Sequence, residues 1–227
     1  MYKIDLHVHT KYSSTCGFMT AEMLVDGYIE AGYSAIAITD HCNRSTYKKI
    51  LDSPRGSEGF KKFIQGYELV KAEGEKRGLT VYRGVEVRFD GDHNDYLVYN
   101  YPDYLFDDFE SVLSMGLERF YPLAKEAGAT LIQAHPCREA CTPAPSHLLD
   151  GIEVCNTHPW HDNDNEASVQ YAKENPHLIT TGGSDCHNTE HLGRGGIITE
   201  SLPRNDAELA ELLKSGKYEI LTTIVDK

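Results

Sequence analysis

The sequence lacks long apolar runs and is short of basic residues. Its longest apolar stretches, such as residues 35–38, are far below the roughly 20 residues that a membrane-spanning helix requires. Lys and Arg total 22 against 35 Asp and Glu, so the formal net charge is −13. Affinity for nucleic acid comes largely from clustered Lys and Arg. We therefore expect neither a membrane span nor a long nucleic-acid partner.

Closely spaced cysteine pairs and a secretory leader are also absent. The six cysteines are scattered along the chain, which favours free thiols in a reducing compartment over a disulfide framework. Asp5 and His7 stand where a leader would carry a basic patch followed by an apolar stretch. These features predict a cytoplasmic protein.

The sequence does contain a regular alternation of strand and helix patterns over its 227 residues. Strand-like patterns cover residues 3–9, 35–39, 80–87, 96–99, 129–134, 152–155, 178–181, 196–199 and 218–225. Helical patterns cover residues 21–31, 60–77, 109–127, 166–174 and 207–214. About seven β/α alternations on short connections predict a single α/β domain over residues 1–227, with a largely parallel sheet closed into a barrel.

Histidine and acidic side chains fall at the ends of the predicted strands. The residues at or just past a strand end are His7, His9, Asp40, His41, Glu86, His135, Asn156, Asp185 and His187. In a β/α barrel, the carboxyl ends of the strands surround one mouth. We therefore expect these side chains to form one site.

The spacing of these residues favours metal binding. His7 and His9 lie two apart on a strand, so both imidazoles project from one face and can reach one cation. Glu86 supplies a carboxylate able to bridge two metals. Asp185 and His187 repeat the two-apart spacing with a carboxylate and an imidazole. Together these residues predict a centre for more than one divalent ion.

The motifs resemble those of the PHP family, the polymerase and histidinol phosphatase superfamily. They read Asp5-Leu6-His7-Val8-His9 with Thr39-Asp40-His41, Gly84-Val85-Glu86, Ala134-His135-Pro136 and Ser184-Asp185-Cys186-His187. The resemblance implies a distorted (β/α)7, TIM-like barrel with two or three divalent ions, Zn, Mn or Fe, at the carboxyl ends of its strands. It also implies a metal-dependent hydrolase acting on phosphoester bonds.

The resemblance further implies a ligand set for each of the first two ions. The ligands of the first ion are His7, His9, Glu86 and Asp185. Glu86 bridges to a second ion that is also held by His135 and by one residue of the stretch 92–95. Either His93 or Asp95 fills that place, and we favour His93 because imidazole suits Zn²⁺, Mn²⁺ and Fe²⁺ alike.

The third ion is the place where the sequence departs from the family. The resemblance gives His41 and His187 as its ligands. Family members usually supply a further His or Asp shortly after the first histidine pair, whereas this chain has Ser13-Ser14-Thr15-Cys16 there. Either Cys16 replaces that ligand, or the third position is weak.

The expected reaction is hydrolysis of a small phosphate monoester by a metal-activated water at a di- or trinuclear site. Asp40 is a candidate proton acceptor, or a partner that orients a ligand. Arg138 and Arg194 follow ligand motifs on loops of the predicted mouth and are candidate phosphate contacts. His158, His161 and His191 crowd the same loops and are expected at the rim.

Two other enzyme classes remain alternatives. A phosphodiesterase or nuclease would act on nucleotides or short oligonucleotides, since the net charge of −13 argues only against a long chain. An amidohydrolase barrel also begins with a histidine pair and ends with a strand-terminal Asp. The pairs Asp40-His41 and Asp185-x-His187 favour the PHP pattern over this second alternative. The sequence does not indicate an oligomeric state.

Overall fold

The computed structural model describes residues 1–50 and 57–222, in which strands and helices alternate. The strands are β1 (Tyr2–Val8), β2 (Ala35–Ile38), β3 (His41–Cys42), β4 (Thr80–Val87), β5 (Asp95–Tyr99), β6 (Thr130–Ala134), β7 (Gly151–Asn156), β8 (Ile179–Gly183), β9 (Gly195–Thr199) and β10 (Glu219–Thr222). The α-helices are α1 (Ala21–Glu30), α2 (Arg44–Ile50), α3 (Ser57–Phe63), α4 (Gln65–Arg77), α5 (Phe109–Met115), α6 (Leu117–Glu126), α7 (Asn165–Glu174) and α8 (Asp206–Ser215). None of these described helices is long and apolar enough to cross a membrane.

Two predicted helices are interrupted in the structure. The pattern over residues 60–77 contains the end of α3 and the whole of α4. The pattern over residues 109–127 divides into α5 and α6 at Gly116, whose φ of 75° is incompatible with a continuous α-helix. The patterns predicted neither β3 nor α2. The other described helices and strands match the predictions or differ from them by one or two residues, and residues 223–225 of the last predicted strand lie outside the described part of the chain.

The first helix shows how sequence signals set an element and its packing. The Thr20 side chain accepts a hydrogen bond from the Met23 backbone N–H at 3.2 Å and caps α1. The buried face of α1 includes Leu24 and Tyr28, which join a cluster with Ile36 of β2. The helix therefore covers one face of the sheet directly beside β1.

One continuous sheet forms the frame. Its strand order is β10-β9-β1-β2-β4-β5-β6-β7-β8, and β3 also pairs with β4. Strands β1, β2 and β4 run parallel, and so do β6, β7 and β8. Strands β9 and β10 add antiparallel pairs beside β1. The expected α/β class and the distorted TIM-like barrel are thus confirmed, although the sheet is mixed rather than parallel throughout.

Strand β5 reverses the direction of the sheet at its middle. It is antiparallel to both β4 and β6. The connection from β4 covers only residues 88–94, which is too short for the crossover of roughly a dozen residues that a parallel neighbour requires. As a result, β5 begins at the rim where the neighbouring parallel strands end.

The barrel closes at a joint between β1 and the segment that follows β8. Val8 forms a parallel bridge with Cys186, flanked by backbone hydrogen bonds of 2.9 and 3.1 Å. Beside this bridge, a buried Asp5 oxygen accepts the Ser184 backbone N–H at 3.0 Å. The joint is therefore formed by few backbone pairings and is reinforced by a side chain.

Candidate metal centre

The polar residues at the strand ends surround a single cavity of about 610 Å³. The segments that follow β2, β4, β6 and β8 contribute to it, because these strands share one direction. The candidate residues that line it include Cys16, His41, His135, Arg138, Asp185 and His187. Its volume is in the range of sites that bind small molecules.

Four side chains converge at the base of this cavity. His7 Nε2 lies 3.2 Å from Glu86 Oε1 and 3.4 Å from Asp185 Oδ1. His9 Nε2 lies 3.4 Å from Glu86 Oε2 and 3.3 Å from the same Asp185 oxygen. All four residues are at most 1% exposed. The four ligands implied for the first ion therefore face one another.

The hydrogen bonds of the histidine pair leave one nitrogen of each ring available. His7 Nδ1 contacts Glu153 Oε1 at 3.2 Å, and His9 Nδ1 contacts Ser14 Oγ at 3.1 Å. Within the described residues, His7 Nε2 and His9 Nε2 are buried without a hydrogen-bond partner, whereas Glu86 Oε2 lies 2.6 Å from His41 Nδ1. Buried polar atoms are normally satisfied. This donor set fits a divalent cation, whose histidine ligands commonly use their other nitrogen to bond a carboxylate or another polar group.

A second group of donors lies next to the first and shares Glu86. Donor atoms of His41, Glu86 and Asp95 all lie within 4.8 Å of one another. His135 Nε2 is 3.2 Å from Glu86 Oε1 and 3.7 Å from Asp95 Oδ2. Glu86 is thus placed between the two groups, as a bridging carboxylate would be.

The structure reverses our preference between His93 and Asp95. Asp95 is 1% exposed, and its carboxylate also forms an ion pair with Arg88. His93 is exposed on the cavity wall, and its carbonyl oxygen contacts Cys141 Sγ at 3.4 Å. Because β5 runs antiparallel, its first residue, and not the loop before it, is directed to the metal ligands. Asp95 therefore replaces His93 as the candidate ligand.

A third group contains imidazoles only. Donor nitrogens of His9, His41 and His187 lie within 4.8 Å of one another. The His9 ring is stacked between the other two, with centroid distances of 4.3 Å to His41 and 4.2 Å to His187. His187 Nδ1 contacts the Asp185 carbonyl oxygen at 2.8 Å, which leaves its Nε2 available. The arrangement is compatible with a further cation.

Asp40 does not face the cavity as a proton acceptor would. One of its oxygens accepts from the Thr10 backbone N–H at 2.7 Å and from Ser14 Oγ at 2.8 Å. The other oxygen accepts from Thr10 Oγ1 at 2.7 Å. Both oxygens are used, so of the two expected roles only the orienting one is compatible with the geometry. Asp40 is connected to His9 through Ser14, whose Oγ contacts both side chains.

The two arginines differ in position. Arg138 lines the cavity and donates through Nη2 to Asp185 Oδ2 at 2.6 Å and to Asn156 Oδ1 at 3.1 Å. Its Nε donates to Asn163 Oδ1 at 2.8 Å. Among the described residues, Arg194 is half-buried but is not part of the cavity lining. Of these two arginines, Arg138 is therefore the one placed to contact a bound anion in the cavity.

Comparison with known families adds an independent observation to this geometry. A family model described as PHP domain matches residues 5–179. The chain belongs to the PHP-domain family. A second model, described as PHP-associated, matches residues 162–218 of this PHP chain. The resemblance drawn from the sequence motifs is thus confirmed. A comparison with curated proteins finds no match.

Solved structures with the same fold differ in their functions. A two-domain protein from Bacteroides vulgatus, described as containing a PHP-like metal-dependent phosphoesterase, has a TM-score of 0.72 and 19% identity over 97% of this chain and 64% of its own. An amidohydrolase from Chromobacterium violaceum has a TM-score of 0.54 and 18% identity over 97% and 98%. The lesion-specific endonuclease Q from Pyrococcus furiosus has a TM-score of 0.60 and 16% identity over 96% and 57%. The PHP chain spans under two thirds of the first of these proteins, and identities this low establish the fold alone.

The charges of the PHP centre depend on one another. Burial disfavours a charged His7, but Asp185 and Glu86 outweigh it and raise the pKa of His7 well above its usual value. Burial alone would raise the pKa of Glu86, yet His41 and His7 hold this pKa well below its ordinary range. Without a cation, protonated imidazoles therefore compensate the buried carboxylates.

On the imidazole-rich side of the centre, the pKa values of His9 and Cys16 are lowered instead of raised. Burial, together with the neighbouring His187 and His41, lowers the pKa of His9 well below its usual value. Partial burial opposes ionisation of the Cys16 thiol, but hydrogen bonds with His187 and His41 lower its pKa to about 6. Neutral imidazole and thiolate are the forms that bind metals.

The rim histidines form a separate cluster. Donor atoms of His158, His187 and His191 lie within 4.8 Å of one another. His158 Nδ1 accepts the Trp160 backbone N–H at 3.3 Å, and His191 Nδ1 accepts the His187 N–H at 3.2 Å. In a neutral ring the proton then lies on Nε2. His158 and His191 are thus hydrogen-bond donors at their free nitrogens.

Sequence reasoning missed Glu153, which connects several parts of the centre. Its Oε2 accepts the His135 backbone N–H at 3.0 Å and the Asn156 side-chain N–H at 2.9 Å, in addition to the contact of Oε1 with His7. A Cβ on Gly183 would lie 2.7 Å from Glu153 Oε1, so a glycine is needed at that place. The signal was present, because a carboxylate within an apolar strand requires buried partners.

Two residues of the centre adopt unusual backbone conformations. His135 has a φ of 29° and Asp185 a φ of 54°. Side chains other than glycine rarely adopt positive φ, and such residues concentrate at functional sites. The backbone at both strand ends is therefore shaped by the site.

Proposed function

We propose that this chain is a metal-dependent phosphoesterase that hydrolyses a small phosphate monoester at a centre of two or three divalent ions. Zn²⁺, Mn²⁺ and Fe²⁺ are the ions that its imidazole and carboxylate donors suit. The proposal extends the family assignment to a reaction.

One observation carries the proposal: the buried Nε2 atoms of His7 and His9, which have no hydrogen-bond partner among the described residues, converge with the carboxylates of Glu86 and Asp185. Each histidine of this set is fixed in orientation by a hydrogen bond to its other nitrogen. A cation at this position would satisfy these atoms and would replace the protonated imidazoles as the charge that compensates the carboxylates. We assign His7, His9, Glu86 and Asp185 to one ion, and Glu86, Asp95 and His135 to a second.

Bound divalent ions supply an activated water and neutralise phosphate charge. The chain itself provides the contacts around them. Arg138 lies at the cavity wall with its guanidinium held by Asn156, Asn163 and Asp185, so it is oriented before substrate binds. His158 lines the same wall and offers a neutral Nε2–H to a phosphate oxygen. Asp40 and Ser14 keep His9 in its orientation.

The size and charge of the protein favour a small substrate. The cavity of about 610 Å³ accommodates a phosphorylated metabolite or a mononucleotide. The net charge of −13 repels a long polyanion, whereas the local positive charge of bound ions and Arg138 attracts one phosphate group.

The test is a phosphate-release screen with Mn²⁺, Zn²⁺ and Fe²⁺ added separately. Sugar phosphates, nucleoside monophosphates and histidinol phosphate form the panel. We expect turnover on at least one monoester, abolished by Glu86→Ala and by His135→Ala and unchanged by His147→Ala, whose side chain is exposed outside the cavity. Retained turnover in the first two variants would refute the site. Cleavage of amides or lactones without phosphate release would refute the reaction.

A second candidate, hydrolysis of nucleotide diesters or short oligonucleotides, is favoured by two aromatic side chains. Phe18 and Trp160 both line the cavity and are 65% and 60% exposed. Exposed aromatic rings beside a phosphate site stack on nucleobases. Faster turnover of bis(4-nitrophenyl) phosphate than of 4-nitrophenyl phosphate, lost in Trp160→Ala, would favour this candidate over the monoesterase.

A further inference from the structure

The segment between β1 and α1 places a thiol beside the imidazole group of the centre. Cys16 lines the cavity. Cys16 is exposed, and two of the candidate ligands, His41 and His187, line the same cavity. The other described cysteine that borders this cavity is Cys141, whose Sγ lies 4.0 Å from Nδ1 of His135, on the ring edge away from Glu86. Cys16 is thus the described thiol that lies beside His41 and His187.

The imidazoles beside Cys16 themselves indicate a cation position. Their donor nitrogens and one of His9 lie within 4.8 Å of one another. His9 Nε2 is directed at Glu86 and Asp185 of the first ligand set, so His41 and His187 are the imidazoles of this group that remain for a further ion. His187 uses Nδ1 for the Asp185 carbonyl oxygen and so presents Nε2. This observation does not depend on the cysteine.

The competing cluster at the rim is excluded by its hydrogen bonds. His158 and His191 each accept a backbone N–H at Nδ1. Their protons therefore lie on Nε2, and neither nitrogen has a free lone pair for a metal. Of the two histidine clusters that include His187, only the one next to Cys16 can coordinate an ion without rearrangement.

The backbone around Cys16 is held in place from both sides. Ser14 Oγ accepts the His41 backbone N–H at 3.0 Å and donates to Asp40. The Phe18 backbone N–H donates to the His187 carbonyl oxygen at 2.9 Å. Between them, a Cβ on Gly17 would lie 2.1 Å from the Thr10 carbonyl oxygen, so only glycine permits this close turn. The segment is thereby fixed against the two imidazoles.

We propose that Cys16 is a thiolate ligand of a third ion that it shares with His41 and His187. The inference rests on the proposed metal-dependent function. Binding exchanges the thiol proton for a sulfur–metal bond and releases that proton to solvent. A thiolate prefers Zn²⁺, Co²⁺ and Fe²⁺ to Mg²⁺ and Mn²⁺. The third site therefore prefers softer ions than a site with only oxygen and imidazole ligands would.

The test loads the full chain with Co²⁺ and records its absorption spectrum, and native mass spectrometry counts the bound ions. We expect a near-ultraviolet sulfur-to-cobalt charge-transfer band in the wild type. Cys16→Ser should lose the band and one ion per chain. Cys16→Asp should lose the band, keep the ion and bind Mn²⁺ at that position. Cys141→Ser, altered at another cavity thiol, should keep both.

These readouts separate the inference from the proposed function, because none of them requires turnover. Co²⁺ spectra without a charge-transfer band in the wild type would overturn the role of Cys16 while leaving the other ligands intact. A band that survives Cys16→Ser, or disappears in Cys141→Ser instead, would also overturn it. A band lost only with Cys16 supports the inference even if no phosphoester is hydrolysed, which would count against the function alone. Circular dichroism of each variant verifies that it is folded.

Discussion

Glu153 holds His7 in place, with 3.2 Å between Glu153 Oε1 and His7 Nδ1. The carboxylate lies on β7 and the imidazole on β1, so the contact crosses the interior of the barrel. It fixes the ring with Nε2 directed at Glu86 and Asp185. A residue that binds no ion in our assignment therefore determines the geometry of the first ligand set.

Replacing Glu153 should weaken metal binding without unfolding the protein. Glu153→Gln keeps the volume but loses the negative charge and one acceptor, so we expect affinity for Zn²⁺ to fall by about 10–100-fold. Competition with a chromophoric chelator measures this change. Glu166→Gln, on the exposed surface of α7, is the matched control and should bind like the wild type. Equal affinities for both variants would contradict the positioning role.

Variants of Asp95 and His93 compare the two alternative ligands of the second ion directly. Asp95→Ala should lower the affinity for that ion by more than the about 100-fold that loss of an orienting partner costs. His93→Ala should leave the affinity unchanged, because its side chain is exposed. Titration of metal-free protein, followed by a count of bound ions, distinguishes them. The reverse order of effects would restore His93 as the ligand.

Metal affinity should rise with pH. Carboxylates raise the pKa of His7 and His41 well above the usual value despite burial. Burial lowers the pKa of His135, but hydrogen bonds with Cys141 and Glu86 raise it to about 9. These rings are protonated at neutral pH in the metal-free protein, so a cation must displace their protons. We expect the apparent Zn²⁺ affinity to increase with pH from neutral through about pH 9.

Calorimetry at neutral pH in two buffers of different ionisation enthalpy measures the protons released by Zn²⁺. At least one proton should be released per ion bound at the first ligand set. His147→Gln removes an exposed ring outside the centre and should not change the count. Binding that takes up protons, or releases none, would show that the imidazoles are neutral before the ion arrives.

The two arginines should differ in their effect on phosphate. Arg138→Lys keeps the charge but loses the planar fork that Asn156, Asn163 and Asp185 orient. We expect the inhibition constant of inorganic phosphate against 4-nitrophenyl phosphate to rise about tenfold, the value of one charged hydrogen bond. Arg194→Lys should not change it. An effect confined to Arg194→Lys would reverse the assignment.

The sequence predicted most of the centre because one rule of barrels applies to most of its residues. His7, His41, His135 and Asp185 were found from their places at the ends of parallel strands, and the structure brings them together. The rule failed for Asp95, since it lies at the beginning of an antiparallel strand. The short connection between β4 and β5, residues 88–94, is the sequence signal for this reversal.

Other misses have a different physical cause. The partners of a side chain depend on contacts between distant segments, which periodicity does not encode. Asp40 follows a strand, as a catalytic residue would, yet its hydrogen bonds with Thr10 and Ser14 turn it away from the cavity. Arg194 follows a ligand motif along the chain but not in space. Position along a strand therefore predicted membership of the site better than it predicted a role in it.

The proposed cation would also stabilise the joint between β1 and the segment after β8. His7 and His9 lie on or just past one side of this joint, and Asp185 lies on the other. An ion bound by all three would hold the barrel closed at this joint, where the backbone provides a single bridge. Ion binding would then contribute to the free energy of barrel closure. Loss of the ion should therefore destabilise the contact between β1 and the segment after β8 before it destabilises the rest of the barrel.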